Sequence, residues 1–361
     1  MGKFKSKFEE LEMSLSFDDV LIKPALSDVR LAEVDLSLQL NEKLKLSIPI
    51  FSAAMDTVTG YETARAMIEA GACGTLHKNV STEENIEIVK KLHDEFGSNR
   101  PIAVSVGVGN TKEEIGNLIN AGANIIVVDS AHAHTNGIGD LVQLISTNFP
   151  DVFLIAGNIV TKEAAAFLIE RGAHAVKVGI GPGSICTTRK VTGIGRGQVS
   201  SISEVADYCR DKGILVISDG GMKATDDIMK SFACGADAVM LGYMLAGCDE
   251  CPAEKVNIDG EYCMLYRGMG SISAMKQGSA FRYGKSGLAN TKWVAEGVES
   301  YVKCKGQIKD VLHNIEWSLK SAFGYVGAWN IKEAQEKTQI VRITNSVLNK
   351  SNFHSIDKLI K

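Results

Sequence analysis

The feature that most constrains this chain is a unit it repeats eight times. A short, mostly aliphatic run ends in a polar or glycine cluster, and an amphipathic stretch follows. The runs are Ile48–Ser52, Cys73–Leu76, Ala103–Val106, Ile125–Val128, Phe153–Ala156, Ala175–Val178, Leu215–Ser218 and Ala238–Leu241. Such unbroken runs read as strands buried on both faces, as in a parallel sheet. Ser81…Glu84, Thr111…Glu114 and Ser201…Glu204 have the spacing of capping boxes at helix starts. Ala70-Gly71, Ala121-Gly122, Arg171-Gly172 and Cys234-Gly235 each place a glycine where a helix must stop before the next run. Alternating βα units imply a parallel sheet, and a count of eight favours a closed (β/α)8 TIM barrel over an open one.

A barrel of this kind carries its chemistry at the C-terminal ends of its strands. Here those ends are polar or glycine-rich: Ala53-Ala54-Met55-Asp56, His77-Lys78-Asn79, Gly107, Asp129-Ser130, Gly157-Asn158, Gly179 to Cys186, Asp219-Gly220-Gly221 and Gly242-Tyr243. The 35 glycines against only 6 prolines among 361 residues fit many tight turns and close backbone approach, not collagen or a flexible linker. A net charge of −4 gives no nucleic-acid footprint. No run is long enough to cross a bilayer, and the charged start lacks the apolar core of a signal peptide. The start does fit the loose myristoylation pattern at Gly2. The eight cysteines read as reduced, mostly buried residues of a cytoplasmic protein.

After the eighth run the repeat fails. Residues from about 247 to 306 form a long polar insertion of little periodicity, which reads as a functional flap. A helix is expected near Ile308–Ala322, and the tail from about 343 to 361 reads as loosely structured. The whole, 1–361, reads as one catalytic domain.

The strongest local signal is the loop from Gly179 to Thr188, directly after the sixth run. Its alternating glycines let backbone amides converge on an anion, and Ser184 adds a hydroxyl. No Lys-Ser/Thr pair closes it, so it is not a nucleoside-triphosphate loop. Cys186 beside those amides has the setting of a nucleophile, although a turn with an incidental cysteine reads equally well from local sequence. Asp219-Gly220-Gly221 could hold ribose hydroxyls and a phosphate, or be a plain turn. Cys248 and Cys251 form a lone CxxC without the partner pair that zinc needs. His132 and His134 could face a metal, but a cofactor-lining loop is the better reading. Arg282-Tyr283, in the insertion, reads locally as solvated surface.

Taken together, these segments resemble the inosine-monophosphate dehydrogenase / guanosine-monophosphate reductase family. The resemblance runs from Leu15-Ser16-Phe17-Asp18-Asp19 to about His354. It rests on Met55-Asp56-Thr57-Val58, His77-Lys78-Asn79, the 179–189 loop, Ser218-Asp219-Gly220-Gly221 and Tyr266-Arg267-Gly268-Met269-Gly270-Ser271. It implies that Cys186 attacks C2 of a purine nucleotide monophosphate. Ser184, Gly221, Gly242 and Tyr266 would hold the phosphate, Asp219 the ribose, and Met269, Gly270 and Glu296 the base, with Met55, Gly220 and Tyr243 also in contact with the substrate. Asp129, Ser130, Gly179 and Gly181 would line the nicotinamide site, and Thr188 and Glu296 would handle protons. Carbonyls of Gly181, Gly183 and Cys186 would bind K+, and the assembly would be a homotetramer.

The resemblance also separates two reactions. The dehydrogenase uses NAD+ and hydrolyses an adduct on Cys186 with water activated by a flap Arg-Tyr pair. The reductase uses NADPH, expels ammonia and lacks the pair. Phe281-Arg282-Tyr283, its spacing to Glu296 and the tail Asn352-Phe353-His354 are similar to the dehydrogenase. Lys190, Thr192, Ala53 and Tyr243 depart from it, as does Lys350, where the dehydrogenase has Glu near its cation. The regulatory module of the cystathionine-β-synthase type, usual in the dehydrogenase after the second strand, is missing between His77 and Arg100. Oxidation of inosine monophosphate is therefore the expectation and guanosine-monophosphate reduction the alternative. A nucleotide-binding barrel that has lost catalysis is a third reading.

Overall fold

Eight parallel strands close on themselves: β1 (Ile50–Ser52), β2 (Cys73–Leu76), β3 (Ala103–Val106), β4 (Ile125–Asp129), β5 (Phe153–Ile159), β6 (Ala175–Val178), β7 (Leu215–Asp219) and β8 (Ala238–Leu241). They follow chain order around the barrel, and β8 closes it against β1 with Val239 opposite Ile50 and Leu241 opposite Ser52. This is the (β/α)8 fold that the eight runs imply. The architecture comes from a computed structural model, which describes residues 11–285, 289 and 292–351. Gly2 and Asn352-Phe353-His354 lie outside those residues.

The period of two in each strand sorts its side chains between two cores. Phe51, Ile125, Val127, Phe153, Ile155, Ile217 and Met240 fill the barrel interior. Their neighbours Ile50, Ile126, Val128, Leu154 and Val216 pack outward against the helices. Leu40, Leu44 and Leu46, around the short pair Leu38–Gln39 and Lys45–Leu46, join the interior cluster at its base.

The outer helices begin where their caps predict. Ser81 accepts the Glu84 amide at the start of α2 (Thr82–Phe96). Thr111 and Glu114 form a reciprocal box at α3 (Lys112–Asn120). Ser201…Glu204 is a correction. Helix α7 (Gln198–Cys209) starts at Gly197, so both residues lie inside it. The Ser201 hydroxyl donates to the Gly197 carbonyl at 2.8 Å. Glu204 reaches out to Arg196 at 2.6 Å and accepts the Lys162 amide at 3.0 Å, at the start of α5 (Lys162–Ile169). Between β2 and β3 the chain forms α2 and then a turn in which Ser98 and Asn99 are exposed.

The insertion has more order than its sequence suggests. Strands β9 (Lys255–Ile258), β10 (Glu261–Arg267) and β11 (Glu299–Lys303) make an antiparallel sheet. Asp259 and Gly260 join the first two, with φ of 52° and 86°, the left-handed pair a two-residue hairpin needs. Just before the tail Gln339–Arg342 pairs with Val20–Lys23, and among the tail's described residues Asn345–Lys350 is helical. The preceding helix, Ile308–Val326, is one turn longer than expected. No helix among the described residues is long and apolar enough to cross a membrane.

Candidate active site

Lys177 organises the mouth of the barrel. It shares the inward face of β6 with Ala175, and its side chain is 1% exposed. An ammonium there must be paired. Inward parity on β4 and β7 supplies the partners at the strand ends: Asp129 Oδ1 lies 3.2 Å from Lys177 Nζ and Asp219 Oδ2 lies 2.6 Å away. Asn158, at the end of β5, takes a third bond from Lys177 and donates to Asp219 Oδ2 at 2.8 Å. Asp129 is 3% exposed, and its other oxygen is paired with the Arg282 guanidinium from the insertion. Lys78 Nζ donates to the Asp129 carbonyl at 2.6 Å. Burial, then the nearby Arg282 and Lys177, pushes the Lys78 ammonium down to about 7. Sequence reasoning missed Lys177 because it sits inside an otherwise apolar run.

The cysteine loop follows β6 and ends at the short helix Thr188–Thr192. Gly179 has φ 149°, and a Cβ there would fall 2.1 Å from the Asp219 carbonyl oxygen, so only glycine lets the loop cross β7 this closely. The insertion clamps the loop. Cys186 pairs with Gly297 as an isolated antiparallel bridge, the Thr187 amide donates to the Glu296 carbonyl at 3.0 Å, and Val298 donates to the Ile185 carbonyl at 3.0 Å. Side chains then form a file. Cys186 Sγ donates to Thr188 Oγ1 at 3.3 Å, and Thr188 Oγ1 donates to Glu296 Oε2 at 3.1 Å.

These groups line one cleft of about 990 Å3, part of it open to solvent. One wall holds Cys186, Ser184, Gly179, Gly181 and Gly183, and the floor holds Asp129, Lys177 and Asp219. Gly220, Gly221, Gly242 and Tyr243 form a second wall. Met55, Tyr266, Met269, Arg282, Tyr283 and Glu296 complete the lining. Burial pushes the Tyr266 hydroxyl up to about 12 against a lowering hydrogen bond with Ser184, and burial likewise pushes Tyr283 up to about 12. Both phenols are therefore protonated donors at neutral pH. Burial also lowers Arg282 from its usual range.

Three expected residues stand outside the lining. Thr188 lies behind Cys186. The Ser130 hydroxyl turns to its own loop, donating to the His132 carbonyl at 3.1 Å. Gly270 lies under Tyr283, whose ring would meet a Cβ there at 2.8 Å. His132 and His134 are exposed, and no metal-ligating cluster exists among the described residues. Cys248 and Cys251 are buried, with Cys251 donating to the Leu245 carbonyl, and burial pushes Cys251 up to about 11.

A thiol, a buried lysine–carboxylate cluster and an inserted arginine–tyrosine pair, gathered at the C-terminal mouth of a parallel barrel, define a (β/α)8 enzyme. The profile "IMP dehydrogenase / GMP reductase domain" matches residues 14–354. A protein of Borreliella burgdorferi named inosine-5'-monophosphate dehydrogenase is 39% identical, covering 95% of this chain and 97% of its own. Proteins of the same name from Cryptosporidium parvum (37%, 95% of each chain) and Aquifex aeolicus (33%, 96% of each) are also similar. The chain belongs to the IMP dehydrogenase / GMP reductase family and is an oxidoreductase.

Proposed function

We propose that this chain oxidises inosine 5'-monophosphate to xanthosine 5'-monophosphate with NAD+, a step of guanine nucleotide synthesis. The observation that carries the reading is the Arg282-Tyr283 pair seated in the Cys186 cleft. Hydrolysis of an adduct needs a water-activating pair there, and expulsion of ammonia does not. The names of the relatives support the same direction.

In this reading Cys186 Sγ bonds to C2 of the purine as the C2=N3 π pair moves onto N3, to return when the C2 hydride leaves, and the thiol proton passes along Thr188 to Glu296. NAD+, when bound, supplies the acceptor for the C2 hydride, and Asp129, Gly179 and Gly181 would hold it, with Ser130 joining them once its hydroxyl leaves the His132 carbonyl. The buried Asp129 carboxylate facing the cleft fits that task. Water then adds to C2 with its proton taken at the Arg282–Tyr283 pair, and the C2–Sγ bond breaks, the sulfur recovering its proton from Glu296 through Thr188. Asp219, anchored by Lys177, receives the ribose. Ser184, Gly220, Gly221, Gly242, Tyr243 and Tyr266 surround the phosphate, while Met55 and Met269 frame the base and Gly270 supports it from beneath Tyr283. Because Arg282 occupies one oxygen of Asp129, the dinucleotide and the seated flap take turns at that carboxylate.

The carbonyls of Gly181, Gly183 and Cys186 are a neutral oxygen set from one loop, which suits K+ better than a divalent ion. The Gly183 carbonyl already accepts the Cys186 amide at 3.1 Å, leaving it one lone pair for an ion. We assign the assembly to a homotetramer by analogy with the family. A paired assay tests the function: inosine monophosphate with NAD+ against guanosine monophosphate with NADPH, each followed by nicotinamide absorbance. Appearance of NADH in the first and no change in the second is expected. Consumption of NADPH in the second alone would make the chain a reductase, and silence in both with Cys186 intact would make it a binding barrel.

A further inference from the structure

Lys285 is a charged flap residue to which the reaction above gives no task. Its Nζ lies 2.8 Å from Glu296 Oε1 and donates to the Val294 carbonyl at 2.7 Å. Both partners are largely buried, Lys285 at 13% exposure and Glu296 at 14%. The other Glu296 oxygen is the one that accepts from Thr188. A file of four side chains thus runs from the Cys186 thiol to the Lys285 ammonium.

The four belong to two bodies. Glu296 goes with the cysteine loop through its carbonyl, which accepts the Thr187 amide, while its own amide donates to the Gly270 carbonyl beside it in the insertion. Lys285 goes with the turn Ser279–Tyr283, because its amide donates to the Ala280 carbonyl at 2.9 Å and its Nζ stands 5.4 Å from the Tyr283 ring centre. That turn is the one that presents Arg282 to Asp129. A carboxylate held by one hydroxyl can rotate; a second, charged partner on the other oxygen fixes it.

We propose that Lys285 is a positioning residue of the flap: by gripping Glu296 Oε1 it aims Oε2 at Thr188. Seating the flap and completing the file to Cys186 are then one event. The proposal deepens the reading of the flap given above and rests on it for its kinetic consequence. The titratable groups facing Glu296 are Lys285 and Tyr283 from the insertion and Cys186 from the barrel loop, with Arg282 beside Tyr283 and Arg189 beside Cys186.

The test compares the wild-type full chain with Lys285→Gln and Lys285→Arg. Limited chymotrypsin cleavage after Phe281 and Tyr283, followed by peptide mass spectrometry, reports how firmly the flap is seated. Losing the cation should speed cleavage about threefold or more, with Lys285→Arg close to wild type. Steady-state NADH formation from inosine monophosphate should fall about tenfold in Lys285→Gln with unchanged KM, a smaller loss than removing an acid–base group outright. Identical cleavage rates in all three proteins overturn the proposal. So does equal loss in both variants, which marks a merely structural residue. If the wild type forms no NADH from inosine monophosphate, the functional reading fails, and the cleavage rates still decide whether Lys285 ties the flap to Glu296.

Discussion

A lysine pointing into a barrel must be neutralised, and Lys177 has two carboxylates and an amide for the purpose. Lys177→Met would leave Asp129 and Asp219 buried without their shared cation. The expected cost is about 3–5 kcal/mol of stability, read from urea unfolding, together with loss of nucleotide binding. Unchanged unfolding would mean that the cluster contributes nothing net. Lys78 makes the opposite case, a cation whose burial holds it near 7 when folded, against about 10.4 unfolded. Between those values the unfolded chain binds the extra proton, so stability rises with pH across that window. The wild type should therefore gain on Lys78→Met as pH goes from about 7 to about 9.5. Parallel stability curves for the two proteins would remove Lys78 as the source. Neither lysine was legible from spacing alone. Lys177 hides in an aliphatic run, and Lys78 meets the Asp129 carbonyl from β4 and the like charge of Arg282 from the insertion, which no local pattern connects.

At the scale of elements, strands announced themselves because both faces are apolar. Seven of the eight begin at the residue their runs predict; the first starts at Ile50 because Pro49 has no amide to donate. The antiparallel sheet β9–β11 stayed hidden because its faces are mostly exposed, so no hydrophobic period marks it. The Asp259-Gly260 pair was its one clear signal. Ser201…Glu204 misled because a cap spacing also occurs by chance within a helix; the helix starts after Gly197, which has no side chain to cap with and whose amide donates to the Ser14 hydroxyl. The site was legible as motifs but not as a constellation: Arg282 reads locally as surface, yet the fold buries it against Asp129. For this element, Arg282→Ala should slow release of the Cys186 adduct about 100-fold or more and leave the first hydride transfer nearly unchanged. Stopped-flow absorbance would show a burst of NADH followed by a slow phase. Equal slowing of both phases would remove Arg282 from water activation.

At the scale of the molecule, the barrel and its site occupy opposite duties at opposite ends. The C-terminal mouth carries every group assigned to chemistry, and the other end joins helices to strands and is packed by Leu40, Leu44 and Leu46. The turn after α2 has the qualities of a graft point. Ser98 and Asn99 are exposed, while Asn124 holds the carbonyls of Ser98 and Arg100 on either side, at 3.0 and 2.7 Å. A small folded domain inserted between Ser98 and Asn99 should leave kcat unchanged, whereas the same insertion within 179–189 should abolish turnover. Loss of activity in the first fusion would show that the two ends of the barrel are coupled. Retention would make this end a socket, through which a sensor could be wired to nucleotide synthesis without disturbing a single catalytic distance.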